Sequence, residues 1–302
     1  MKTKIIILYV TCILFSCKSE KRPSKQDVNS ETWISLFNGK DLSGWTIKFA
    51  GEDLNTNYNE TFKVKDSMLR ITYDNYETFN NKFAHLYYNT PFSYYKLKFD
   101  YRFVGEQIDG GAHWNVRNSG VMLHSQSATS NAYNQYFPVS VELQLLGGLE
   151  DNNKRTTGNV CTPGTVVVMG DTINYRHCIR SNSKTYFGDQ WIHAEAIVLG
   201  GESMAFIIEK DTVLNFKLPQ IGSTKPSKDY EGENWEAWNI NQETWENRAG
   251  QILTEGYIAL QAESHPIDFK NIELLDLCGC MDKNAKNYKS YYVKNKPESC
   301  EY

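Results

Sequence analysis

Between Tyr95 and Phe103 every odd position is apolar or aromatic and every even position is charged. Successive side chains of a strand point to opposite faces, so this run fixes a half-buried antiparallel strand. A helix, with its period of about 3.6, would spread the same residues around its whole circumference. Phe62–Val64 and Met68–Ile71 flank Lys65-Asp66-Ser67 and read as a hairpin. Further strand-like runs cover Thr165–Met169, Arg176–Ile179, Trp191–Leu199, Met204–Lys210, Thr212–Leu218, Gly256–Glu263 and Phe269–Leu277. No long segment holds a helical period, and no βαβ rhythm occurs. Lys225–Arg248 stands apart as a polar stretch with Trp235, Trp238 and Trp245, suited to a short helix or an excursion over one sheet edge. The fold class expected is therefore all-β, a two-sheet antiparallel sandwich.

The ends of the chain are of another kind. Lys2 and Lys4 precede the apolar run Ile5–Phe15, which is too short to span a bilayer and suits a signal-peptide core. Leu14-Phe15-Ser16-Cys17 resembles a bacterial lipobox. The expectation is a leader over residues 1–17, lipidation at Cys17, and a polar tether over residues 18–31. Export, with a lipid anchor as the only membrane contact, follows from that; periplasmic and surface display both remain open. A core domain then covers residues 32–277, and residues 278–302 form a tail too small for its own core. Formal net charge is -4, from 32 basic and 36 acidic residues, which offers nucleic acid no electrostatic footprint.

An exported chain should pair its cysteines. Cys161 and Cys178 flank one hairpin-like segment and make the first expected bridge; Cys280–Cys300 would staple the tail. Cys278 is then left over, and Cys278–Cys300 is the alternative pairing.

Two segments combine strand alternation with polar chemistry. In Val139–Gly147, Val141, Leu143 and Leu145 share one face, and Glu142 and Gln144 the other. In Asn118–His124, Val121 and Leu123 share one face, and Asn118, Met122 and His124 the other. The Gly-rich loop 105–117, with Trp114, delivers the chain to Asn118 and is placed to rim a site.

The chain resembles the bacterial 3-keto-disaccharide (3-keto-glycoside) hydrolases. The residues that carry the resemblance are Leu36-Phe37-Asn38-Gly39-Lys40-Asp41-Leu42-Ser43-Gly44-Trp45, Asn118-Ser119-Gly120-Val121, Glu142-Leu143-Gln144-Leu145, Cys161-Thr162-Pro163-Gly164-Thr165, Gly188-Asp189-Gln190-Trp191 and the segment from Gly256 to Pro266. The resemblance implies a concanavalin-like jelly roll and a carbohydrate substrate. It also implies a functional partner, a sugar 3-dehydrogenase that makes the keto sugar. Glucanases of this fold carry Glu-x-Asp-x-x-Glu on one strand; here the matching strand reads Glu142-x-Gln144-x-x-Gly147. Direct displacement needs two carboxyl groups about 5 Å apart, so one partner is missing unless Glu263 supplies it.

A keto group at C3 relaxes that requirement, because it acidifies the C2 proton. One base then suffices for β-elimination of the glycosidic oxygen, followed by hydration. The resemblance and the strand faces together nominate Glu142 as base, with His124 or His265 as proton donor. Asn118, Gln144, Gln261, Glu263 and Trp114 are nominated to hold the sugar. A divalent metal held by Glu142 with either histidine is a further expectation. A lectin-like binding module and an ordinary glycoside hydrolase are the competing expectations.

Overall fold

A computed structural model describes residues 28–226, 228 and 231–302. The expected leader, Cys17 and the tether up to residue 27 lie outside the described residues. No described helix is long and apolar enough to cross a membrane.

Two sheets face each other. The larger has ten strands, in the order β11 (Thr172–Asn174), β10 (Thr165–Met169), β15 (Asp211–Ile221), β14 (Ser203–Ile208), β13 (Ile192–Leu199), β6 (Tyr94–Phe103), β17 (Ile267–Asp276), β4 (Met68–Ile71) and β3 (Phe62–Lys65); β1 (Ile34–Ser35) adds to β17. The smaller has seven, in the order β12 (Cys178–Ile179), β9 (Asn159–Cys161), β8 (Val141–Leu146), β7 (Asn118–Ser125), β16 (Tyr257–Ala262), β5 (Ala84–Tyr88) and β2 (Trp45–Phe49). Every pairing in these two sheets is antiparallel. This is the expected jelly-roll sandwich. The expected hairpin is present, and Asp66 and Ser67 both take positive φ, as a two-residue turn matched to strand twist requires.

The core lies between the sheets. β6 and β13 bury every second residue, and Leu97, Phe99, Tyr101 and Phe103 meet Val121, Leu123, Leu143 and Leu145 from the facing sheet. Each such side chain contributes about 1.5–3 kcal/mol by leaving water. On the outer face of the large sheet Asp268 is fully buried. Arg70 grips it with two hydrogen bonds of 2.6 and 2.8 Å, and Arg102 adds one of 3.0 Å.

β2, β5 and β9 carry no alternation legible in sequence. Ala84-His85-Leu86-Tyr87 is buried on both faces, which erases the period-2 signal. The reason is a loop, residues 126–138, that lies over part of the small sheet's outer face. Its Ala128 packs against Tyr87, Met122 and Ala259. Lys48 holds the loop by donating to Tyr133 O at 2.8 Å. The other half of that face, around β7, β8, β9 and β12, stays open as a concavity.

The polar stretch after Lys225 contains a one-turn 3-10 helix, Glu236–Trp238, and a short helix α1, Gln242–Glu246. Trp235 and Trp245 pack into the sandwich, and Trp238 is half-buried at the concave side. In the tail, β18 (Cys278–Gly279) pairs in parallel with β19 (Lys294–Asn295), and Cys280 is bonded to Cys300. Cys278 is a buried free thiol.

Candidate active site

β8 builds the site. Its inward residues Val141, Leu143 and Leu145 are core, so alternation turns Glu142, Gln144 and Leu146 outward. Register then sets their neighbours: Met122 and Cys161 flank Glu142, and Gly120 and Asn159 flank Gln144. Gly120 is what makes room. A methyl group there would lie 2.3 Å from Glu142 Oε1, so the carboxyl group leans across the bare backbone of β7.

The lean brings it to Glu263, just beyond the end of β16. The two glutamates line one cavity of about 470 Å³ together with Asn118, Gln144 and Trp114, well within the range of about 300–1,000 Å³ usual for small-molecule sites. Glu142 is 6% exposed and Glu263 3%. Burial drives both carboxyl groups above the ordinary glutamate range, and the Glu142 charge pushes Glu263 up further. Two carboxyl groups that repel in a dry site titrate as a pair, so the first proton leaves only around pH 8 and the second is held still more tightly, which makes the singly protonated pair a state of the alkaline side of neutrality.

Around them the polar groups are partly committed. Asn118 donates to Trp114 O at 3.2 Å, while its buried Oδ1 has no partner. Gln144 Oε1 accepts from Asn159 at 3.0 Å. Arg155 donates to Gly147 O at 2.7 Å and Arg117 O at 3.0 Å. Burial and the neighbouring Arg117 pull its pKa to about 10, so it is still a cation at neutral pH. Trp114 stacks on Phe83 with 9° between ring planes and remains 55% exposed at the rim. Trp238 forms another part of the wall, with its ring 4.6 Å from that of His177.

Three expected residues are placed elsewhere. His124 does not share the face of Asn118. Four residues of β7, Met122 to Ser125, span three of β16, Tyr257 to Ala259, and His124 takes φ +46° at this bulge. Its ring is re-aimed between the sheets, where Nε2 meets Gly200 O at 3.0 Å and the ring lies against Tyr95. His265 sits against Phe103, near Arg117 and Asp189, outside the cavity lining. Gln261 is on the outer face but in the covered half, paired with His85 across β5, and its Oε1 is buried without a partner.

The expected metal geometry therefore does not form, since neither histidine joins Glu142. The group of metal-type ligand atoms that the described residues do bring together is Cys161, His177 and Cys178. Its two sulfurs are joined in a disulfide, so no thiolate is available there. Trp238, noted in the polar stretch 225–248, lines the cavity; Arg155, Asn159, Lys154, Arg180, His113 and His177 line it too and were not singled out from sequence.

An antiparallel sandwich with a buried carboxyl pair on the concave face of its smaller sheet defines a jelly-roll protein with a built small-molecule site. Within that class, the chain belongs to the family of 3-keto-alpha-glucoside-1,2-lyase-like domains, whose profile matches residues 32–275. Solved structures with a similar chain course include a protein of Parabacteroides distasonis provisionally described as a glycosyl hydrolase. It is 19% identical, with 80% of this chain and 98% of that one covered, at a TM-score of 0.48. A Bacillus subtilis protein of galectin-like fold is 12% identical, with 81% and 94% covered, at a TM-score of 0.47. No curated protein matches this chain.

Proposed function

We propose that this protein cleaves the glycosidic bond of 3-keto-glycosides by elimination and hydration. The observation that carries the reading is the Glu142–Glu263 pair: two carboxyl groups that burial and mutual repulsion keep from ionising together. Such a pair supplies a base and an acid in one cavity.

Glu142 as carboxylate takes the C2 proton, and the C–H electrons enter the C3 carbonyl as an enolate. Arg155, cationic and half-buried in the wall, offsets that charge. When the enolate collapses, C3=O re-forms, a C1=C2 double bond forms and the C1–O bond breaks. Glu263 in its acid form protonates the departing oxygen. Water then adds across C1=C2, its hydroxyl going to C1 and a proton to C2, for net hydrolysis. Asn118 Oδ1 is free to accept from a sugar hydroxyl. The keto group must be installed beforehand by an oxidoreductase, a sugar 3-dehydrogenase. The amino-terminal pattern supports export and anchoring to a bacterial membrane as a lipoprotein through Cys17, in the periplasm or at the cell surface. Incorporation of radiolabelled palmitate, abolished in Cys17→Ala, tests that assignment.

The same pair favours one alternative, direct displacement, because Glu263 restores the second carboxyl group that β8 lacks. The test is to offer a 3-keto-glucoside beside its unoxidised parent in deuterium oxide. Cleavage of the keto form alone, with deuterium at C2 of the product and loss in Glu142→Gln, supports elimination. Turnover of the parent without label at C2 would sink it. Binding of either sugar without turnover would make the protein a lectin.

A further inference from the structure

The floor of the cavity is acidic, but its mouth is basic. Lys154, Arg155 and Arg180 all line it, with His113 and His177 beside them. The chain as a whole carries net charge -4, so this sign is local. Lys154 and Arg180 are exposed, and the ion pairs among the described residues all use other cations. Arg155 spends its donors on backbone carbonyls, which leave its charge unneutralised. The carboxylate facing this group from outside the cavity is Asp151, which acts on Arg155 and His113. Its oxygens are engaged by Asn153.

Cations without partners at the lip of a partly enclosed cavity attract and retain an anion more strongly than the same charges on a flat surface. They stand outward of the glutamate pair, where the leaving group of a bound glycoside would project. Trp114 and Trp238 beside them offer apolar faces to the body of that group.

We propose that the leaving group of the substrate carries an anionic substituent, a carboxylate, sulfate ester or phosphate ester, bound at the cavity mouth by Lys154 and Arg180. This rests on the reading that the sugar is held over Glu142. Arg180 offers a planar fork of donors suited to two oxygens of such a group, and Lys154 a point charge.

The test uses the full chain and four phenyl 3-keto-glucosides: one neutral, and one each with a para carboxylate, sulfate or phosphate. At low salt at least one anionic member should have a KM about tenfold below the neutral one. The preference should shrink severalfold in 0.5 M salt, as screening requires (roughly a 4 Å Debye length). In Lys154→Ala/Arg180→Ala the anionic-to-neutral ratio should approach one. The member preferred identifies the anion class. Equal KM values for all four, or a preference untouched by the double substitution, would overturn the proposal while leaving elimination intact. Calorimetry on the unoxidised glycosides separates the two readings. Anion-dependent binding lost in the double variant, without turnover of any keto form, upholds the anion site and refutes elimination instead.

Discussion

Replacing Glu142 with glutamine should change the pH dependence of stability more than stability itself at low pH. Burial raises the Glu142 pKa from 4.5 to about 8. In the unfolded chain the group returns to its ordinary value, so between those two pH values the native state holds a proton that the unfolded state has released. Stability then falls as pH rises, with a slope of at most about 1.4 kcal/mol per pH unit per proton. The contribution is fully present below pH 4.5 and is lost as pH climbs through 8. From pH 5 to 7.5 the wild type should lose up to about 3 kcal/mol from this group. For a chain of this length that is roughly 2–4 °C of Tm per kcal/mol. In Glu142→Gln the titrating group is gone, and Glu263 loses the charge that pushes it up. The Tm profile should therefore be flatter by several degrees over this window, with the two proteins closest near pH 5. Glu233 is also raised by burial, but it is common to both proteins and cancels in the difference. Differential scanning calorimetry at half-unit steps is the assay. Parallel profiles would refute both the burial of the pair and its role as a shared-proton site.

Gly120→Ala should abolish activity with little loss of fold, because the added methyl group meets Glu142 Oε1 at 2.3 Å and must displace the carboxyl group. A fall of about 100-fold in kcat/KM on a 3-keto-glucoside, with a native circular dichroism spectrum, is expected. Asp268→Ala leaves Arg70 and Arg102 facing each other without their shared carboxylate. A loss of about 3–5 kcal/mol in urea unfolding should follow. Cys161→Ser/Cys178→Ser opens a loop of 17 residues and frees β12 from the cavity wall. About 3 kcal/mol of stability should be lost by denaturant titration. The kcat/KM profile against pH should be bell-shaped, since the glutamate pair works only with one proton aboard; a flat profile from pH 5 to 9 would contradict the assigned roles.

Sequence determined the sandwich, because period-2 alternation in Tyr95–Phe103 and Ile192–Leu199 is a backbone property that needs no knowledge of partners. It also determined that Glu142 and Gln144 face away from the core, since Val141, Leu143 and Leu145 between and beside them must go inward. Where both faces of a strand are covered, as in β5, the alternation vanishes and the strand went unread. Periodicity also misled at His124, where one extra residue in β7 turns the ring into the core; a bulge leaves no mark in a hydrophobic pattern. Only tertiary structure decided that Glu263, 121 positions after Glu142 in the chain, is the group that shares its cavity. Strand order made that choice by setting β16 beside β7, and Gly120 left the bare stretch of backbone across which the two carboxyl groups interact.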